Sequence, residues 1–307
     1  MMSQSETDLL KSSAVIILNH DTADLVYDLA MKIIKEIPIS IIIIDNSLHD
    51  EQSKILKSIQ ERYSNVTLRI LSANYGYSHG NNAGIEIARN SGKKFAIICN
   101  PDIAIEESKI AEVFLSLLRK TSLENIILAG PAIINENSKL NRYQSPKYRP
   151  RFFWLFTYNI FYPLSYLIGK VFRNLVISRG RRERRVFMVQ GSFFALDIEK
   201  MGKIGFFPEK VFLTHEEEII GLNILETPFR VIFDPSIHVF HNHSASFSKN
   251  SLTFQEEKFK EGFNRMVDTM NLSEIERNLL VKTMKWRLFI ARIGKHMLIK
   301  RRKEAEK

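Results

Sequence analysis

Uninterrupted apolar runs recur through the first half of the chain, and polar segments of helical period fill the gaps between them. The runs are AVIIL (Ala14–Leu18), ISIIIID (Ile39–Asp45), VTLRIL (Val66–Leu71), KFAIIC (Lys94–Cys99) and NIILAG (Asn125–Gly130). Between them, apolar positions return every three or four residues from Asp24 to Ile37, from about Asp50 to Tyr63, through SHGNNAGIEIARNSG to Gly92, and from about Glu106 to Arg119. Strands without polar alternation are buried on both faces, so the pattern predicts an α/β fold with a mostly parallel central sheet and helices on both sides. After residue 185 the pattern resumes with VFMVQGSFFALD, a strand-like run with Gln190-Gly191-Ser192 in its middle. An acidic helix start at Glu216-Glu217-Glu218 follows, then FRVIFDP, SIHVFHNHSASFS and a helical stretch from Phe254 on.

In open sheets of this kind, ligands bind beyond the carboxyl ends of the strands. Four successive ends are polar or acidic: Asn19-His20-Asp21, Asp45-Asn46-Ser47, Asn74-Tyr75-Gly76 and Asn100-Pro101-Asp102. An Asn-Pro-Asp corner alone is an ordinary turn. Four such ends on one sheet edge predict a site.

The segment between the two strand-bearing regions is different. Phe152–Ile168, FFWLFTYNIFYPLSYLI, is uncharged and aromatic, and Pro163 interrupts it. It is short for a membrane span, so it fits either a broken hairpin in a bilayer interface or a helix packed on protein. The formal charge of +10 is concentrated in Lys170–Arg185 and from Lys282 to the end, which favours an anionic partner. Fractions of 45% apolar and 25% charged residues exclude wholesale disorder. A single cysteine, Cys99, excludes an internal disulfide framework and a Cys-based zinc site, and its place in a strand predicts a buried thiol. The N-terminal residues lack a secretory pattern, which predicts a cytoplasmic location.

With these pieces in order, the chain resembles the family-2 glycosyltransferases of the GT-A (Rossmann-like) fold, and within them the rhamnosyltransferase-like branch of bacterial surface-polysaccharide enzymes. The resemblance runs from about Ala14 to Ser246 and is carried by VIILN, IIDNS, NYGYSHGNNAGI, CNPDI, VQGSFFALD, FLTHEEEII and HVFHNHSAS. It implies transfer of one sugar, with inversion, from a UDP- or dTDP-sugar to a hydroxyl of a glycan or lipid-linked acceptor. The donor-binding residues it implies are Asn19, Asp45, Asn46, Asn74, Gly76, Asn82, Gly84, Asn100 and Asp102. Asp45 would face the base, unless this turn merely caps a helix through Asn46 or Ser47.

The resemblance further implies a divalent cation, Mn²⁺ or Mg²⁺, on Asp102 and His241, with His243 a competitor for the second place. Asn100 stands where many relatives carry another Asp. Glu217 would be the general base, with Glu216 second and Glu218 a solvated surface charge. Gln190 and Gly191 would line the acceptor side. Neither Trp154 nor Trp286 sits in the Gln-x-x-Arg-Trp motif of processive synthases, which favours a single-sugar transferase.

The expected organisation is a nucleotide-sugar half (1–134), an aromatic and basic insert (135–185), an acceptor half (186–250) and a basic helical region (251–307). The insert and the C-terminal helix are expected to contact an anionic membrane on the inner face of the cell membrane, and nucleic acid is not an expected partner. A catalytically idle nucleotide-sugar-binding relative and a basic membrane- or nucleic-acid-binding protein are the alternatives.

Overall fold

The computed structural model describes residues 2–135, 146, 148–165, 182–241 and 252–305. After a short helix α1 (Gln4–Lys11), strands β1 (Ser13–Asn19), β2 (Ser40–Asp45), β3 (Val66–Ile70) and β4 (Phe95–Cys99) alternate with helices α2 (Ala23–Glu36), α3 (Asp50–Arg62) and α4 (Gly76–Asn90). Then come β5 (Ile103–Ala104), a 3₁₀ turn at Glu107–Lys109, α5 (Ile110–Thr121), β6 (Ile126–Asn135) and α6 (Phe152–Ile160). Strands β7 (Arg184–Val186) and β8 (Phe193–Asp197), helices α7 (Ile198–Lys203) and α8 (Glu216–Leu225), and strand β9 (Arg230–His241) lead to α9 (Leu252–Thr269) and α10 (Glu274–Ala305).

The described strands form one sheet in the order β3-β2-β1-β4-β8-β6-β9-β5, with β7 against β9. It is parallel through β3-β2-β1-β4 and again between β6 and β9, while β8 runs antiparallel to β4 and β6. Alternation across the pleat divides each apolar run between two cores. Val15, Ile17, Ile41 and Ile43 face α2, α3 and α5, whereas Ala14, Ile16, Ile42 and Ile44 face the α4 side. A third cluster joins Ile219 and Leu222 of α8 to Phe263 and Met266 of α9 and Leu280 and Met284 of α10, with Phe152 and Phe156 of α6 packed against it.

Several elements depart from the sequence expectation. The VFMVQGSFFALD run is two strands, because β7 pairs with β9 while β8 pairs with β4 and β6; Gln190-Gly191-Ser192 is the loop before β8. FRVIFDP and SIHVFH join into one strand, β9, with an irregularity between Asp234 and His238 where Pro235 cannot donate to the ladder. The helix expected from Ser78 begins two residues earlier, at Gly76. The aromatic segment is a helix from Phe152 to Ile160 whose Asn159 contacts Thr283 and Arg287 of α10. Its remainder at 166–168 and the basic residues 170–181 lie outside the described residues. Among the described residues no helix is long and apolar enough to cross a membrane.

Gly84 proves to be a packing glycine. A Cβ there would lie 2.4 Å from Cγ2 of Ile16, so its missing side chain lets α4 press on β1. Gly84→Ala should therefore destabilise the fold by about 1–3 kcal/mol through overpacking, read as a lower urea midpoint at unchanged m-value.

Candidate active site

The parallel pairing of β1, β2, β3 and β4 brings their polar ends to one edge, where side chains satisfy one another. Asp45 is fully buried at the end of β2. Its Oδ1 accepts from Asn19 Nδ2 at 2.9 Å and from the Ser47 N–H at 3.0 Å, and its Oδ2 accepts from Ser53 at 2.7 Å. Asn19 Oδ1 in turn accepts from the N–H and hydroxyl of Thr22. Asn46 donates to Asn74 Oδ1 at 2.8 Å and accepts from the Tyr75 N–H at 3.0 Å, linking the end of β2 to the loop after β3. Neither Asn46 nor Ser47 caps α3, whose N-cap position is His49.

The start of α4 is fastened to the loop before α8. Gly76 has φ +86°, and a Cβ there would stand 2.3 Å from the Phe212 carbonyl oxygen, which itself accepts from the Tyr77 N–H at 2.8 Å. Only glycine fits both the backbone and the contact. The loop from Phe212 then turns through Thr214 (φ 77°) and His215 (φ 66°) into the acidic helix α8. A β-branched residue at positive φ is strained, and α9 holds it: Gly262 closes on the Thr214 carbonyl, and the Thr214 hydroxyl donates to the Lys258 carbonyl.

The three carboxylates of α8 have different fates. Glu217 Oε1 accepts from the Gly191 N–H at 2.9 Å, and the Tyr77 hydroxyl donates to the Gly191 carbonyl. A Cβ on Gly191 would lie 2.4 Å from Glu217 Oε1, so the glycine makes this approach possible. Burial, then the charge of Glu218, push the Glu217 carboxyl up to about 7, with the backbone N–H groups and His215 pulling it back. Glu216 is buried, and desolvation followed by the charge of Glu217 raises its carboxyl well above the usual range. Glu218 is not the solvated charge expected. Burial pushes its carboxyl up, but His215, with Nδ1 3.4 Å away, more than offsets that and leaves it lowered. Gln190 Oε1 and Ser192 Oγ, on either side of Gly191, and Glu216 Oε1 on α8 are buried without a hydrogen-bond partner among the described residues.

On the other side of the same loop, the Asn100 N–H donates to the Ser192 carbonyl at 2.8 Å. The Asn-Pro-Asp corner then feeds β5, whose Ile103 pairs with His241 at the end of β9. This register sets Asp102 Oδ1 3.0 Å from His241 Nε2. A carboxylate from the corner before β5 and an imidazole from the end of β9 are a donor pair suited to Mn²⁺. Among the described residues no cluster of three or more His, Cys, Asp or Glu could hold a metal ion, so this pair alone does not complete a metal cage.

The glycosyl transferase family 2 model matches residues 15–174, more than half of the chain and all four strand ends. The chain belongs to glycosyl transferase family 2. No curated protein matches it. Its fold is similar to that of GalNAc-T7, solved with UDP, GalNAc and Mn²⁺, at TM-score 0.58 and 14% identity, over 91% of this chain and 56% of that one. It is also similar to the mannosyltransferase PcManGT from Pyrobaculum calidifontis, solved with GDP-Man and Mn²⁺, at TM-score 0.54 and 12% identity, over 90% of this chain and 69% of that one. At such identities the likeness is one of fold. This chain spans little more than half the length of GalNAc-T7.

In this family 2 glycosyltransferase, most of the residues singled out in the sequence converge. Asn19, Asp45, Asn46, Asn74 and Gly76 share one hydrogen-bonded edge. Asn100, Asp102 and His241 meet at the corner, and Gln190, Gly191, Glu216 and Glu217 surround the next loop. Asn82 is used differently, since its amide clamps the backbone N–H and C=O of Phe207. His243 lies outside the described residues. Tyr77, Thr214 and His215 were not foreseen. Tyr77 stands inside the NYGYSHGNNAGI stretch, but no periodicity marks a hydroxyl that will reach Gly191 from another strand connection.

Glu217 binds its proton more tightly in the folded chain than an unfolded glutamate does, so it favours the fold below about pH 4.5 and disfavours it as pH rises through about 7. Glu217→Gln should accordingly raise the melting free energy at pH 8 by about 1–3 kcal/mol and change it little at pH 4, measured by urea unfolding at both pH values.

Proposed function

We propose that this glycosyltransferase is an inverting, single-sugar enzyme of the rhamnosyltransferase-like branch. It moves a hexose or rhamnose from a UDP- or dTDP-sugar to a hydroxyl of a glycan or lipid-linked acceptor in bacterial surface-polysaccharide synthesis. We assign it to the cytoplasmic face of the cell membrane. The observation that carries the proposal is Glu217, a carboxylate tuned to about 7 and held by the Gly191 N–H beside a loop with unpartnered polar atoms. A base whose pKa lies near the working pH is ionised when needed and strong enough to accept a proton.

In this account the acceptor hydroxyl gives its proton to Glu217 while its oxygen forms a bond to the anomeric carbon. The bond from that carbon to the diphosphate oxygen breaks on the opposite face, and the nucleoside diphosphate carries away the electron pair. Burial, then the charge of Glu217, raises the Glu216 carboxyl well above its usual range, which disfavours a second negative charge beside the first. In this account Asn46 and Asn74 meet the nucleotide, and Asp45 and Asn19, both fully buried, fix their orientation. Asp102 and His241 would hold Mn²⁺ or Mg²⁺, which would neutralise charge on the diphosphate. GalNAc-T7 and PcManGT, both solved with Mn²⁺ and a nucleotide or nucleotide sugar, support that assignment.

Thermal stabilisation by UDP, dTDP and GDP, each with and without Mn²⁺, tests the donor site. UDP or dTDP should stabilise the protein by about 2–3 kcal/mol at a hundredfold excess over Kd, only with metal, and Asp102→Ala should abolish this. No stabilisation by any diphosphate would overturn the donor-site assignment. Where transfer is observed, Glu217→Gln should lower kcat by about a hundred- to ten-thousand-fold with donor binding retained, and wild-type kcat should rise with pH through about 7.

A further inference from the structure

Behind α8, on the side of the molecule away from the strand ends of β1 and β2, four arginines from three separate stretches of chain line one groove of about 260 Å³. Antiparallel pairing of β7 with β9 sets Val186 opposite Val231, which brings Arg185 and Arg230 to the same edge. The Phe187 N–H donates to the Pro146 carbonyl at 2.8 Å, drawing the segment that carries Arg149 and Arg151 alongside. All four arginines are exposed, and among the described residues no carboxylate lines the groove. The arginines seen in ion pairs are others: Arg69, Arg119 and Arg292. The floor is apolar, with Phe187, Ile224 and Phe229. Four like charges over an apolar floor repel one another and favour an anion.

The segment that carries Arg149 and Arg151 runs directly into α6, which bears exposed aromatic residues. Arg151 is the N-cap of α6, and no acidic residue stands in that helix's first turn, so the end of its dipole adds to the positive field. One face of α6 packs inward through Phe152, Leu155, Phe156 and Asn159. The other leaves Phe153 and Trp154 71% and 73% exposed, directly beside the arginines in sequence. Trp286 of α10, itself exposed, donates from Nε1 to the Ile160 carbonyl at the far end of α6. A soluble phosphate ester would engage the arginines but leave these rings in water. A bilayer interface accommodates both, with phosphates at the guanidinium groups and aromatic rings at headgroup level.

We propose that this groove is a phosphate-binding site for the headgroups of anionic membrane lipids, and that Phe153 and Trp154 enter the interface beside it. The site differs from the basic runs evident in the sequence, since Arg149 and Arg230 belong to neither. It is independent of which sugar is transferred. Because Gly221 and Ile224 line the groove on the helix whose first turn holds Glu217, docking there would set the base at a fixed height above the membrane.

Co-sedimentation of the full chain with vesicles, either pure phosphatidylcholine or equal parts phosphatidylcholine and phosphatidylglycerol, tests the site. Binding should require phosphatidylglycerol, weaken with salt, and fall about fivefold for each arginine removed in Arg185→Gln/Arg230→Gln and, separately, in Arg149→Gln/Arg151→Gln. Trp154→Ser should weaken it further at every salt concentration. The same variants of these exposed side chains should keep the wild-type melting temperature. Wild-type affinity for phosphatidylglycerol vesicles in both arginine pairs, with loss in Arg301→Gln/Arg302→Gln instead, would overturn the proposal in favour of the C-terminal basic run. Vesicle binding by no form, with inorganic diphosphate or RNA bound and lost in the arginine pairs, would overturn it in favour of a soluble phosphate ligand.

Discussion

A carboxylate kept partly dry, with no lysine or arginine paired to it among the described residues, governs this structure. Glu217 gains one hydrogen bond from Gly191 and the favourable end of α8, but burial outweighs them and its proton leaves only near pH 7. A lysine or arginine at the same place would have held the group ionised and weak as a base. Keeping the site free of such a partner requires backbone to approach closely from several directions. Gly191 lacks the Cβ that would strike Glu217, and Thr214 and His215 accept left-handed conformations so that α8 can begin where it does. The α9 helix, through Gly262 and Lys258, holds that strained turn in place.

The polar strand-end edge and the acidic helix are therefore one unit rather than two neighbouring clusters. Gly76 and Tyr77, at the start of α4, contact both the Asn46–Asn74 network and the Phe212 carbonyl, while the Tyr77 hydroxyl reaches the loop that holds Glu217. From the other direction, Asn100 bonds Ser192, so the corner that leads to Asp102 and the loop that carries Gly191 share a backbone hydrogen bond. Positions more than ninety residues apart in sequence are joined directly by hydrogen bonds. Such a frame suits a reaction between two bound molecules, where the arrangement of the groups decides the rate.

The parallel half of the sheet was legible because strands buried on both faces leave uninterrupted apolar runs, and their polar ends marked the edge where the side chains form one hydrogen-bonded network. The pairing of Asp102 with His241 was readable through family resemblance, and the register of β5 on β9 supplies its physical cause. What escaped notice was local geometry with no compositional trace. Gln190-Gly191-Ser192 looks like strand because its flanks are apolar, yet Gly191 spends its backbone groups on Tyr77 and Glu217 instead of a ladder. Gly84 and Gly76 are the same residue type in one motif, but one serves helix packing and the other a left-handed turn. Nothing in the sequence separates the two, just as nothing foretold that Arg149, Arg185 and Arg230 would share a groove.

The measurement that bears most directly on this account is a carbon-13 NMR titration of the glutamate carboxyls, with the Glu217 resonance assigned by its loss in Glu217→Gln. A midpoint near 7 for that carboxyl is the result expected of a base tuned by burial. A midpoint near the ordinary 4.5 would mean that water reaches the group freely, and the base assignment would lose its physical support.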